Sequence, residues 1–227
     1  MNKFRTLMLA LAAVSVSACA GPQTASRNAI GPATNDAPAL SQAKQRALAA
    51  SMSKVFSPNV KIERITVDVP RSLEVSEKNS YYPRGDIIWR GDLFGDRHEQ
   101  VKAIVQQSAE NAAARLQGDN PVHMHIQLTR FHGLTEKARY STGGVHNVNF
   151  YVTLLDPVTG ATLRPAEHVV TNLDALRGTE AIQADTRGDT QKHRITSFLT
   201  QVFQKELSTP EGYDDDNRGF FVALNRS

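Results

Sequence analysis

The longest amphipathic pattern in this chain of 227 residues predicts a core helix from about Arg97 to Gly118. Asp96, with Glu99 three residues later, is typical of an N-terminal capping box, and Gly118 favours a left-handed C-cap. Apolar residues recur along the segment at helical spacing: Val101, Ile104, Val105, Ala109, Ala112 and Leu116. One stripe of this helix must face a core, so the rest of the chain has to supply the other side of that core.

Alternation of apolar and polar residues predicts strands on both sides of this helix. One begins near Val60 and is stopped by Pro70, and a short one covers residues 86–90. The clearest strand is expected to bulge at 131–133 and to continue through 134–140, and its apolar positions are Val122, Met124, Ile126 and Leu128. Its polar residues alternate so strictly that one face must be buried and the other wet.

Two further strands are predicted around 148–154 and 168–173, joined by the turn at 156–160. Thr190 is expected to cap a second long amphipathic helix, which Pro210 ends. The economical arrangement of these elements is an α+β fold, a mostly antiparallel sheet of about four to five strands with two helices packed on one face.

The first residues indicate export rather than folding. A short basic start precedes an apolar run from Leu7 to Ala18. This run is shorter than the roughly 20 apolar residues that span a bilayer, which is typical of a cleaved signal. The run ends in Val16, Ser17, Ala18 and Cys19, which resembles the bacterial lipobox, and Cys19 is the single cysteine. We therefore expect lipidation at Cys19 and anchoring of the mature protein to a membrane by its acyl chains.

The predicted organisation has four parts. Residues 1–18 form the lipoprotein signal, 19–58 the lipidated cysteine and a flexible tether, 59–209 a periplasmic α+β domain, and 210–227 a C-terminal tail. In the sorting pattern of Gram-negative lipoproteins, an aspartate after the cysteine retains the protein in the inner membrane. Ala20 follows here, which favours the outer membrane with the domain facing the periplasm.

Charge argues against a nucleic-acid partner. Removal of Lys3 and Arg5 with the signal leaves 24 of the 26 Lys and Arg residues against 23 Asp and Glu. A nucleic-acid-binding domain needs a basic face, which neither this balance nor the predicted compartment favours.

Seven histidines invite a metal site. His123 and His125 lie two apart on one strand face, with His98, His132 or His146 as third ligands, but strand alternation alone explains polar residues there. Motifs for nucleophilic catalysis and phosphate cradles are missing from the sequence, and Asp92 and Asp96 fit loop and cap roles. We therefore expect neither a cofactor nor an enzymatic activity.

Aromatic residues offer the best indication of a contact surface. Trp89, the single tryptophan, is expected in the core beside Ile87. Tyr81 and Tyr82 instead lie in a polar loop, where exposed aromatics mark contact surfaces, and they form the predicted partner surface.

Several motifs resemble those of an uncharacterised family of proteobacterial lipoproteins, known as a domain of unknown function. They are Val67–Pro70, Gly85–Asp92, Phe131–Thr135, Gly143–Val148 and Asp189–Lys192. More distantly, the order of lipobox, tether, alternating strand, hairpin and terminal helix is similar to that of the auxiliary lipoproteins of ABC-type transport systems.

The resemblance implies a non-enzymatic binding or accessory component of the cell envelope, of a lipid-transport assembly in the distant comparison. Two alternatives stay open from the sequence. One is a periplasmic metal-dependent hydrolase that uses the surface histidines, and the other is a carrier of a small hydrophobic ligand.

Overall fold

The computed structural model describes residues 59–210 and 212–215, so the predicted signal, the lipobox with Cys19 and most of the C-terminal tail lie outside the described residues. The elements in chain order are β1 (Val60–Asp68), β2 (Ile87–Ile88), α1 (Arg97–Ala113), β3 (Asn120–His132), α2 (Glu136–Arg139), β4 (Gly144–Leu155), β5 (Thr162–Ala175), α3 (Gly178–Thr186) and α4 (Gln191–Ser208). The predicted α+β class is confirmed.

One five-stranded sheet has the order β1-β3-β4-β5, and β2 pairs with the end of β3. The long pairings of β3 with β4 and of β4 with β5 are antiparallel, as predicted. The pairings of β1 and β2 with β3 are parallel. Because β1 and β3 are joined through a helix, the chain returns to the same end of the sheet and adds β3 in the same direction.

The core lies between one face of the sheet and the helices α1 and α4. The predicted stripe of α1 is buried from Val101 to Ala112, whereas Leu116 lies beyond the end of the helix and is only partly buried. The apolar positions of β3 and β4 face this stripe: Val122, Met124, Ile126, Leu128, Val148, Phe150, Val152 and Leu154. The rings of Phe150 and Phe203 approach to 4.9 Å between centroids across this interface. Such aromatic contacts contribute beyond the area they bury.

Helix starts agree with the sequence better than helix ends. The side chains of Asp96 and Thr190 accept hydrogen bonds from the backbone N–H groups of Glu99 and His193, as the capping prediction requires. The predicted cap at Gly118 is wrong, because α1 ends at Ala113. Gly118 is instead pressed against the chain before β1, where an added Cβ would lie 2.1 Å from the Asn59 carbonyl carbon.

Two predictions about the middle of the chain are also wrong. Residues 136–139 form the short helix α2 rather than a continued strand, and the irregularity of β3 falls between Leu128 and Arg130 rather than at 131–133. Thr135 explains the first difference, since its hydroxyl caps α2 by accepting from the Ala138 N–H. Helix α3 was not predicted at all, because its apolar stripe is only two buried alanines, Ala181 and Ala184.

Residues 212–215 return along the domain. The ring of Tyr213 meets that of Phe198 edge to face at 6.5 Å, and Asn172 Nδ2 donates to Asp215 Oδ2 at 2.7 Å. Among the described helices, none is long and apolar enough to cross a membrane.

Candidate functional site at the loop end

The strand directions bring the loops that follow β1, β2, β3 and β5 to the same end of the sheet. Strands β1, β2 and β3 all finish at the edge of the sheet where β4 begins and β5 ends. We call this edge the loop end, and it comprises residues 69–86, 89–96, 133–143 and 176–190. The opposite end of the sheet holds Asn59, which directly precedes β1, and the β4–β5 turn. Functional side chains collect on such connections because a rigid scaffold positions them.

Trp89 anchors the loop end. Its side chain is fully buried and packs edge to face on Phe131, with 5.5 Å between ring centroids. Its indole Nε1 donates to Asp92 Oδ2 at 2.8 Å, so the ring's polar edge is satisfied. A Cβ at residue 91 would lie 2.4 Å from the ring, which explains Gly91. The predicted core role of Trp89 therefore holds, and the residue also fixes the loop that follows it.

Paired charges hold the loops of this end together. The buried guanidinium of Arg97 donates from Nε to Glu77 Oε1 at 2.7 Å. Arg90 bridges two carboxylates, those of Glu77 and Glu136. The hydrogen bond from Arg97 holds the pKa of Glu77 below its ordinary value. A carboxylate held ionised between two arginines is poorly placed to act as a general acid near neutral pH, so this cluster serves structure.

A cavity of about 360 Å³ opens beside the predicted tyrosines. Tyr82 is 93% exposed at its edge, whereas Tyr81 is half covered, with the ammonium of Lys137 lying 4.7 Å from its ring centroid. Apolar and polar groups both line the cavity, among them Tyr81, Tyr82, Ile88, His132, Leu134 and Val145. The two tyrosines proposed from the sequence as a partner surface therefore border this cavity.

His132 lines this cavity and joins strand β3 to the 69–86 loop through one tautomer of its ring. Arg130 Nη2 lies 3.0 Å from His132 Nδ1 and can only donate, so Nδ1 accepts and Nε2 carries the proton. His132 Nε2 then donates to the Gly85 carbonyl at 2.8 Å. Burial lowers the pKa of His132, and the bond to Gly85 opposes this with a smaller effect. The lowered pKa favours the neutral ring. The ring therefore links the end of β3 to the 69–86 loop by a hydrogen bond.

A second cavity, of about 270 Å³, lies on the other side of Leu134. Its cations are each matched by an acid: Arg139 Nη2 donates to Asp185 Oδ1 at 2.7 Å, and Lys192 Nζ donates to Asp92 Oδ1 at 2.8 Å. Tyr140 also donates its hydroxyl hydrogen to Asp185. The charges on this wall are paired, so the cavity has no excess of either sign to attract an ion.

In the described domain, the histidines weighed as candidate metal ligands do not converge on one site. His123 and His125 point to the outer face of the sheet, opposite the core, whereas His146 is buried on the inner face. His98 Nε2 lies 3.1 Å from the Leu73 carbonyl, and His132 is engaged as described. Within residues 59–210 and 212–215, no three His, Cys, Asp or Glu side chains are grouped to hold a metal ion.

His146 is a buried titratable group whose position in the core was not predicted from the sequence. It is buried, and within the described part of the chain neither ring nitrogen has a hydrogen-bond partner. Desolvation, together with the nearby positive charges of Arg139 and Arg194, lowers the pKa of His146 to about 3. Its position two residues before Val148 on an alternating strand was the signal that could have placed it in the core.

Together these features define an α+β domain with two long helices on one face of a five-stranded sheet and an ordered, charge-paired loop end. A model of a family of unknown function, DUF6778, matches residues 60–223. The chain belongs to this family of unknown function. A search of curated proteins finds no match.

Several solved structures are similar to this chain at low sequence identity. A protein from Xanthomonas campestris of the family DUF330 is 9% identical over 69% of this chain and 89% of its own, with a TM-score of 0.37. A protein from Caulobacter crescentus designated a candidate lipoprotein is 14% identical over 71% and 95%, with a TM-score of 0.28. The PelC dodecamer from Paraburkholderia phytofirmans is 13% identical over 70% and 91%, with a TM-score of 0.30.

Proposed function

We propose that this protein is a non-enzymatic lipoprotein of the bacterial outer membrane, whose periplasmic domain binds an envelope partner, such as a component of a lipid-transport assembly, through the loop end. The observation that carries the proposal is the combination of a lipobox ending in Cys19 with an ordered surface that exposes Tyr82. Two or three acyl chains at one cysteine hold a protein stably at a membrane.

The chemistry of the loop end supports binding over catalysis. The carboxylates of Glu77, Asp92 and Asp185 all accept hydrogen bonds from Arg or Lys side chains. They therefore stabilise the loops and are not free to contact a substrate. Exposed aromatic rings on a fixed backbone contribute apolar area at little cost in conformational entropy, which is the usual composition of a protein contact.

The anchor is tested by fractionation of cells that make the full-length protein. Cys19→Ala is expected to release the protein from the membrane fraction, whereas Thr24→Ala, a neighbouring change in the predicted tether, is expected to leave it there. Ala20→Asp is expected to move the protein from the outer to the inner membrane on a density gradient. Retention of Cys19→Ala in the membrane fraction would overturn the proposed anchor.

The binding role is tested separately, by a photo-activated cross-linker placed at Tyr82 in intact cells. A discrete protein adduct at Tyr82 that does not form at Val158 supports the role. Val158 is 90% exposed but lies in the β4–β5 turn at the opposite end of the sheet, so it controls for simple accessibility. Equal labelling at both positions would contradict a partner at the loop end.

A further inference from the structure

The loop between β2 and α1 carries two adjacent apolar side chains in water. Leu93 is 90% exposed and Phe94 is 86% exposed. Single exposed apolar residues are ordinary on protein surfaces. Two large ones in succession at the tip of one short loop form a protruding apolar surface, which we call the Leu93–Phe94 knob.

Hydrogen bonds fix the backbone of the knob from below. Arg97 Nη1 donates to the carbonyls of Asp92 at 3.1 Å and Leu93 at 3.2 Å, and Gln100 Nε2 donates to the Leu93 carbonyl at 2.8 Å. The guanidinium of Arg97 also lies 5.8 Å from the Phe94 ring centroid. Since the carbonyls of Asp92 and Leu93 are held while the two apolar side chains are exposed, part of the cost of ordering the loop is met before a partner binds.

Charges around the knob are paired and sum to no excess. The carboxylates on either side, Asp92 and Asp96, are engaged by Lys192 and Arg71. Loops and helices that bind an anionic bilayer rely on unpaired Lys and Arg beside their apolar residues. An apolar centre inside a neutral polar rim is instead the composition of a protein–protein contact.

We infer that the Leu93–Phe94 knob inserts into an apolar pocket of a second, different protein of the envelope. This inference rests on the proposed partner-binding function and names the residues that anchor it. Glu77 joins the knob to the tyrosine loop, because it accepts hydrogen bonds from Arg90 and Arg97 on the knob side. The loop that carries the knob and the loop that carries Tyr82 are therefore linked through the ion pairs of Glu77.

The test places a benzophenone-bearing residue at Phe94 of the full-length lipoprotein in intact cells, with Val158 as the matched control for exposure and Tyr82 as the control for function. A single protein adduct is expected at 94, at least about tenfold above 158. Leu93→Ser should lower its yield by about tenfold, the effect of removing one buried Leu side chain from a contact. Leu93 is almost fully exposed, so this change leaves the fold intact.

Each other outcome overturns the inference. Labelling of lipid alone at 94 would assign the knob to the bilayer, and an adduct of two copies of this chain would assign it to self-association. A strong adduct at 82 without an adduct at 94 would overturn the role of the knob and leave the proposed function standing. No adduct at either position would remove both, whatever the Cys19→Ala fractionation shows about the anchor.

Discussion

The indole Nε1 of Trp89 donates a hydrogen bond of 2.8 Å to Asp92 Oδ2, while Asp92 Oδ1 accepts one of 2.8 Å from Lys192. One carboxylate thus joins a buried ring of the core to the first turn of α4. Although burial pushes the pKa of Asp92 upward, the bonds from Lys192 and Trp89 outweigh it and hold that pKa below its ordinary value.

Asp92→Ala is expected to lower the free energy of unfolding by about 1 to 3 kcal/mol, because it leaves the buried indole N–H without an acceptor. The loss should shrink as the pH falls through the lowered pKa of Asp92, since a depressed pKa stabilises the fold only while the carboxylate is ionised. Urea denaturation at pH 7 and near pH 3 measures both. Asp174→Ala, at an exposed aspartate of β5, is the control; an equal loss there would contradict the specific role of Asp92.

Gly91→Ala is expected to destabilise the domain by about 1 to 3 kcal/mol, the usual cost of overpacking a filled site. Its Cβ would fall 2.4 Å from the rigid ring of Trp89. At Gly95→Ala in the same loop, the closest atom is the end of a flexible side chain, Gln100 Nε2 at 3.1 Å, and the Leu93 carbonyl oxygen lies at an ordinary 3.8 Å, so stability should change little. Thermal unfolding of the two variants makes the comparison, and equal melting temperatures would show that the ring does not confine residue 91.

Because the pKa of His146 is lowered by burial, the folded domain is expected to lose stability as the pH falls. Its pKa of about 3 in the folded state lies below the ordinary 6.5, so the unfolded chain binds a proton between these values that the folded chain does not. Stability should therefore be complete above about pH 6.5 and fall progressively as the pH drops toward 3. His146→Leu removes this contribution and should flatten the dependence of stability on pH.

The matched variant for this experiment is His125→Leu, which removes a histidine from the outer face of the same sheet. Chemical denaturation at several pH values between 4 and 7 compares both variants with the parent protein. Equal slopes for His146→Leu and the parent protein would show that His146 does not remain neutral in the folded state.

Arg97→Met is expected to lower the free energy of unfolding by about 1.5 to 3 kcal/mol, the range for lost hydrogen bonds that involve a charged group. The side chain of Arg97 is 5% exposed, and its removal strips partners from Glu77 and from two carbonyls of the knob loop. Lys102→Met, an exposed change on α1, should be nearly neutral. Hydrogen exchange at residues 92–96 should rise in the first variant alone; unchanged protection there would show that Arg97 does not brace the loop.

Local signals in the sequence predicted much of the scaffold correctly. The stripe of α1, the caps at Asp96 and Thr190 and the alternation in β3 and β4 depend on neighbours within a few residues, so the sequence shows them directly. The predicted cap at Gly118 failed because its glycine serves a contact with Asn59, which is distant in sequence.

The candidate site was predicted less well. Tyr81 and Tyr82 were placed on an exposed loop, and the structure puts them beside a cavity. The exposure of Leu93 and Phe94 was missed, although a Gly-Asp pair on each side of them marks a loop. An apolar pair before an amphipathic helix looks like core from sequence alone, because nothing local reports which side chains the helix start leaves uncovered.

The sequence by itself determined the class of the fold, the positions of its long helices and its antiparallel strands, because periodicity and capping act over short distances. It also carries the stretch from Val16 to Cys19, which resembles a lipobox and on which the proposed anchor depends. Only the tertiary structure decided that β1 pairs with β3 in parallel, that His146 lies in the core, and that Arg97 holds Leu93 and Phe94 outward. Those outcomes depend on contacts between residues far apart in the chain, where burial and hydrogen bonding outweigh local preference.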